Sequence, residues 1–195
     1  MKSIRKITIG LVLGLLIMAF ASCKKDSDTA PVVKADLKVN KVNDLHPPLD
    51  AISGLPKGTV NYSLALNKEV KSTEAWDISF STTTIATSGS VQLADGIFSS
   101  YTTAPTSGYV VGNVANWYTY TGTTSVPNHA IFPVSGKIIL IKTTDSKYAK
   151  VEMISYYKGN PNTSTAAFAD LATRPASSYY TFQFAYQADG TTNLK

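Results

Sequence analysis

The amino-acid sequence predicts an all-β domain with at most one short helix, and three observations carry that prediction. Only 16% of residues are charged, while Thr, Ser, Tyr and Val are abundant; Thr, Tyr and Val suit the pleated, half-buried surface of a strand. Apolar and polar residues alternate in several segments, most clearly through Tyr180-Thr181-Phe182-Gln183-Phe184-Ala185-Tyr186-Gln187, which is the period of a strand. Two apolar segments flank Thr144-Asp145-Ser146-Lys147, the pattern of a hairpin.

A leader precedes this domain. Lys2, Arg5 and Lys6 are followed by an apolar run from Ile7 to Phe20, diluted only by Thr8, Gly10 and Gly14. A basic start plus a run of this length is a secretory signal. It is short for a membrane span, which needs roughly 20 apolar residues. Ala21 and Ser22 then lead to Cys23, the one cysteine of the chain. Small residues before a cysteine resemble the bacterial lipobox, although Phe20 is bulkier than the usual Leu. A lone thiol forms no internal disulfide. Lipid on Cys23 explains both its number and its position, which an ordinary signal peptide does not. The expected organisation is therefore a lipoprotein signal over residues 1–22, a lipid-anchored tether over 23–40 and one β domain over 41–195.

Removing 22 residues from 195 leaves 173, enough for one domain with a real core. Taking the three leader cations from the formal charge of +5 leaves +2, so nothing supports a nucleic-acid partner. Lys24-Lys25-Asp26-Ser27-Asp28 is polar and aperiodic, as a tether should be. Its lysines followed by acid resemble the surface-export signal of Bacteroidota lipoproteins.

Beyond the tether, Val60, Tyr62, Leu64 and Leu66 alternate and are expected on one strand face, as are Trp76, Ile78 and Phe80. Residues 81–116 are rich in Thr, Ser and Gly and read as loops with short strands. Trp117-Tyr118-Thr119-Tyr120 opens a better-defined region, and Asn128 to Pro133 reads as a loop with a proline stop. Ile138 to Ile141 is wholly apolar, as expected of a strand covered on both faces. Tyr148 to Tyr157 returns from the turn, with Ala149, Val151 and Met153 on one face and Lys150, Glu152 and Ile154 on the other. Ala166 to Ala172 is the one helical candidate. In the last strand, Tyr180, Phe182, Phe184 and Tyr186 are expected to pack, while Thr181, Gln183, Ala185 and Gln187 face water.

Familiar catalytic patterns are absent from the sequence. It holds no phosphate-cradling glycine loop, no cysteine pair or HExxH and no GxSxG elbow. Its three glutamates are Glu69, Glu74 and Glu152. A glycosidase pair from Asp77, Asp95 and Glu152 has no support in their spacing. The expectation is a binding protein and not an enzyme.

Several segments together resemble the HmuY family of haem-binding lipoproteins. They are Trp76 to Phe80, Trp117 to Tyr120, Ile141 to Val151, Ser155 to Lys158 and Tyr179 to Phe184, in the family's order. The resemblance implies a sheet-built palm with projecting β-hairpin fingers that grip haem b or a related porphyrin at the cell surface. It also implies hand-over to a TonB-dependent outer-membrane transporter. The family's axial pairs are His with His or Met with Met, both common haem ligands. The mature chain holds His46, His129 and Met153. His129 falls where the family's second ligand lies and is the expected axial ligand. The stretch from Asp95 to Tyr101, where the first should lie, has neither His nor Met. Tyr101 or Tyr109 would have to serve there as a phenolate, as Tyr does in catalase. His46 before Pro47-Pro48 reads as structural, and Met153 as core. The competing expectation is a surface lipoprotein on the same scaffold that has lost haem ligation and binds a glycan, peptide or protein.

Cys23→Ser should move the protein from the membrane fraction to the soluble fraction. Membrane retention of that variant, followed by immunoblot, would refute lipid anchoring.

Overall fold

The structure, a computed structural model, describes residues 36–195. The leader, Cys23 and the tether up to residue 35 lie outside the described residues. Five antiparallel strands form the principal sheet: β1 (Val39–Leu45), β6 (Ser90–Asp95), β9 (Lys137–Lys142), β10 (Tyr148–Tyr157) and β11 (Ser177–Gln187), in the order β1-β11-β10-β9-β6. A four-stranded sheet, ordered β3-β2-β4-β5, is made of β2 (Val60–Ser63), β3 (Lys68–Val70), β4 (Ile78–Ser81) and β5 (Thr84–Thr87). β7 (Tyr118–Tyr120) and β8 (Ile131–Pro133) pair as a separate ribbon. One helix, α1 (Ala166–Ala169), and one 3-10 turn, Phe98–Ser100, complete the described elements. This is the all-β class expected, and no described helix is long and apolar enough to cross a membrane.

The apolar run Ile138 to Ile141 explains the layering. Successive strand side chains point to opposite faces, and all four of these are buried. Ile139 and Ile141 enter the main core, whereas Ile138 and Leu140 enter a second, smaller one. The main core lies between the two sheets and is largely aromatic. Phe80 of β4 stacks on Tyr180 of β11 with centroids 4.6 Å apart, and Tyr62 of β2 meets the edge of Phe182 at 5.6 Å. Offset and edge contacts of this kind add to the area term. Tyr180 also donates its hydroxyl to the Thr82 carbonyl at 2.7 Å, tying the turn between β4 and β5 to the large sheet. Trp117 is buried in the same core and donates Nε1–H to Thr83 O at 2.9 Å. Gly89, between β5 and β6, admits a close backbone approach: a Cβ there would lie 2.2 Å from Lys142 O.

Several local expectations are corrected. The second face of β11 is covered: Thr181, Ala185 and Gln187 are buried. Ala185 packs with Phe98 and Leu194 in the second core, Thr181 Oγ1 accepts from Asp44 N, and Gln187 Nε2 donates to Asn193 O. The 3-10 turn at Phe98 and the C-terminal segment supply this cover, which periodicity in β11 alone does not report. Leu66 does not follow Leu64 inward. β2 ends at Ser63, and Asp77 Oδ2 accepts from Leu64 N at 2.7 Å to start the turn into β3. Leu64 is therefore buried and Leu66 is 61% exposed. Trp76 precedes β4 and is only half-buried. Ile131–Pro133, expected as loop, is strand β8 because it pairs with β7. The helix stops at Ala169, three residues short of the expected end, capped at its start by Thr165 Oγ1 accepting from Phe168 N.

Leu64 and Leu66 separate these readings by experiment. Leu64→Ala should cost about 2–5 kcal/mol of stability, and Leu66→Ala no more than about 0.5 kcal/mol. Urea unfolding of both variants measures the contrast; equal losses would contradict the strand boundary.

Candidate functional site

The candidate site forms where the β7–β8 ribbon meets β10 and α1. Tyr120 and Ile131 are the last pair of the ribbon, so residues 121–130 form its connecting loop. Thr121 organises this loop. Its Oγ1 donates to Pro127 O at 2.7 Å and accepts from Ala130 N at 2.9 Å, while Thr121 N donates to Ala130 O. His129 N donates to Gly122 O at 2.7 Å, and His129 itself has a φ of 51°. That left-handed backbone is uncommon for a residue with a side chain.

A second set of bonds fixes the loop from outside. Arg174 donates from Nη1 to Asn128 O at 2.8 Å, from Nε to Phe168 O at 2.7 Å and from Nη2 to Ala169 O at 3.2 Å. Its guanidinium also lies 4.9 Å from the Phe168 ring centroid. The planar fork of arginine suits such a multi-pronged grip. Ile131 N donates to Tyr157 Oη at 2.9 Å, anchoring the ribbon to β10.

The result is an open cleft of about 310 Å³ lined by His129, Ile131, Tyr156, Tyr157, Leu171, Arg174, Pro175 and Ser177. Tyr156 Oη is paired with Ser178 Oγ at 2.9 Å, and burial pushes its phenol pKa upward. That phenol stays neutral at physiological pH. The His129 ring is exposed, with Nδ1 2.5 Å from Tyr120 Oη. When Nδ1 carries the proton, the Tyr120 oxygen accepts it and the Nε2 lone pair is free. A hydrogen-bond acceptor behind one ring nitrogen commonly sets the tautomer and orientation of a ligating histidine.

The other expected residues lie elsewhere. Tyr101 and Tyr109 pack against the second core, with Ile138 and Leu140, whereas Ile131 beside His129 packs against the main core. The principal sheet separates the two, so His129 and Tyr101 are not brought together. Tyr101 lies over Gly96, where a Cβ would meet its Cδ2 at 2.8 Å. Burial pushes the Tyr109 phenol well above its ordinary pKa, with smaller contributions from Tyr148 and Tyr101, which opposes a phenolate there. His46 bonds through Nδ1 to Pro47 O at 2.7 Å and sits against the Tyr179 ring at 4.6 Å, in a structural setting. Met153 is buried in the main core. The three carboxylates are each engaged separately: Asp77 with Leu64 N, Asp95 with Lys137 and Glu152 with Gln183. Among the described residues no group of three or more His, Cys, Asp or Glu is placed to hold a metal ion.

Tyr120 and Arg174 are site residues that the sequence reading missed. Tyr120 becomes visible once Ile131–Pro133 is paired with Tyr118–Tyr120, because the ends of a ribbon loop must meet. Arg174 grips backbone carbonyls, and these leave no residue-type signature.

The architecture is a two-sheet β palm with a ribbon and an open cleft at its margin. It is the HmuY-like fold. The structure of apo PinO from Porphyromonas gingivitis aligns with a TM-score of 0.54 at 12% identity, covering 77% of this chain and 97% of that one. A protein described as an HmuY-like heme binding protein from Bacteroides vulgatus aligns with a TM-score of 0.51 at 13% identity, covering 76% and 91%. The apo HmuY analog of Tannerella forsythia gives 0.50 at 12% identity, covering 77% and 95%. No family model and no curated protein matches the sequence.

Arg174→Ala should loosen the His129 loop while leaving the sheets intact. A hydrogen bond to a charged group is worth about 1.5–3 kcal/mol, so amide exchange at His129 and Ala130 should quicken by roughly tenfold or more. Unchanged exchange would show that the guanidinium does not hold the loop.

Proposed function

We propose that this chain is a lipid-anchored outer-membrane protein that captures haem b or a related porphyrin without chemical turnover. One observation carries the reading: the His129 imidazole stands exposed at an open cleft, with Nδ1 held by Tyr120 Oη. That arrangement leaves Nε2 as a ligand for ferric iron, and imidazole is a widespread axial haem ligand. Ile131 and Leu171 give the cleft an apolar margin beside the polar groups of His129, Arg174 and Ser177. The protein's contribution is binding and orientation, and the iron and porphyrin would supply the affinity for the imidazole. The HmuY-like fold supports the same reading. Cys23 would carry the lipid and keep the cleft at the cell surface, and a TonB-dependent transporter would receive the cargo.

A second reading has its own observation. Tyr101 and Tyr109 lie on the other side of the sheet from His129, so neither of the expected second ligands faces the imidazole. On this reading the scaffold binds a glycan, peptide or protein in place of haem.

Haemin titration separates the two. In the mature chain carrying Cys23→Ser, the Soret band should shift saturably at one equivalent, and His129→Ala should abolish the shift. Tyr120→Phe should weaken binding by about 10–100-fold, the usual range for losing the residue that orients a metal ligand. Absence of a Soret change in both ferric and ferrous states would sink the haem reading.

A further inference from the structure

Tyr120 is the last residue of β7 and the one exposed tyrosine among the described residues, with 52% of its surface open. Its Oη lies 2.5 Å from His129 Nδ1, and the two rings sit 6.0 Å apart. The pair has two tautomers. With the imidazole proton on Nε2, Nδ1 is a lone-pair acceptor and the phenol O–H donates to it. A base is then within proton-transfer reach of the phenol. Its backbone is fixed by Gly122 O and, through Asn128 O, by Arg174.

Other phenols meet different partners. Tyr62 donates to Asn67 Oδ1 at 2.8 Å, Tyr180 donates to Thr82 O at 2.7 Å, and Tyr156 pairs with Ser178 Oγ at 2.9 Å. An amide, a carbonyl and a hydroxyl accept a hydrogen bond but take up no proton at neutral pH. These three rings are buried, and burial pushes their pKa values upward. Tyr109 Oη is buried without a partner. The contrast matters when an electron is removed. An oxidised phenol settles as the neutral phenoxyl, so the proton must leave with the electron. A low-dielectric setting without a base opposes that charge separation, whereas a hydrogen-bonded imidazole receives the proton directly.

We propose that Tyr120 is the first tyrosine of this chain to be oxidised, giving its electron to a one-electron oxidant fuelled by a hydroperoxide and its proton to His129 Nδ1. The phenoxyl spreads its unpaired electron onto the ring carbons next to the C–O carbon. Among the described residues the ring that meets Tyr120 is that of His129 and not a second tyrosine, so coupling joins Tyr120 of two copies of the chain. One C–C bond forms between these ring carbons. Each carbon releases its hydrogen as a proton, and each oxygen regains one, restoring two phenols. Two phenols and one hydrogen peroxide thus give one dityrosine and two waters. Iron on Nε2 would require the opposite tautomer, so the inference concerns the haem-free chain and does not rest on the haem reading.

Hydrogen peroxide with an added peroxidase, acting on the haem-free mature chain carrying Cys23→Ser, tests it. A covalent dimer with dityrosine fluorescence should appear on a denaturing gel, and peptide mass mapping should place the link at Tyr120. Tyr120→Phe should abolish the dimer. His129→Asn keeps a hydrogen-bonding side chain and a residue that tolerates the left-handed backbone, but it removes the base. Cross-linking should slow by about tenfold or more, and imidazole added to His129→Ala should restore part of the rate. A link mapped to another tyrosine, an undiminished dimer in Tyr120→Phe, an unchanged rate in His129→Asn or no rescue by imidazole would overturn the proposal.

Discussion

The architecture depends on a sheet that must bury both of its faces. Ile138, Ile139, Leu140 and Ile141 are all inaccessible to solvent, so apolar cover is required above and below β9. The four-stranded sheet covers one side with Tyr62, Ile78, Phe80 and Ile85. Among the described residues no second sheet lies on the other side. It is covered by pieces: Phe98 in its 3-10 turn, Ala104, and Leu194 near the end of the chain. A full sheet makes a tight core, whereas assembled pieces leave room between them. That difference explains why a chamber beside Lys150 and Leu194 occurs on the second face and why the first face is filled by stacked rings.

The ribbon of β7 and β8 uses the filled face as its foundation. Tyr118, Ile131 and Phe132 pack against the main core, and Phe132 and Tyr157 both meet Phe168. α1 is one turn long and would not be stable alone. Burial of Phe168 holds it in place, and its carbonyls then serve as acceptors for Arg174. Packing thus precedes polar organisation, and polar organisation sets the His129 backbone. The histidine reaches solvent on a rigid mount and not on a loose tip.

The strongest parts of this arrangement were legible in the sequence because they are local. The β9–turn–β10 hairpin is written in an apolar run, a turn and a second apolar run, and Tyr180 to Tyr186 shows its packed face by alternation alone. β1 is different. Val39-Asn40-Lys41-Val42-Asn43-Asp44-Leu45 has no clean period, because its register shifts between Val42 and Leu45 and Asp44 has a φ of 53°. Its extended form comes from pairing with β11, a tertiary cause. The site divides along the same line. His129 is visible as a histidine in a polar loop. Its relation to Tyr120 depends on closing a loop, and its relation to Arg174 on a contact 46 residues away. Lys150 was legible only as a lysine on one strand face; that this face is roofed depends on segments some fifty residues distant.

The grip of Arg174 has a consequence for how this structure can be taken apart. The ribbon with its histidine has the outline of a transplantable hairpin, short, continuous and paired along its length. Yet the conformation at its tip is borrowed: the carbonyl of Asn128 is held by a side chain that lies beyond β10 and α1 in the chain. Grafted onto another sheet, residues 118–133 would carry the right letters without the clamp, and the imidazole would lose its bearing. The smallest portable unit is therefore not the ribbon but the ribbon together with β10, α1 and Arg174.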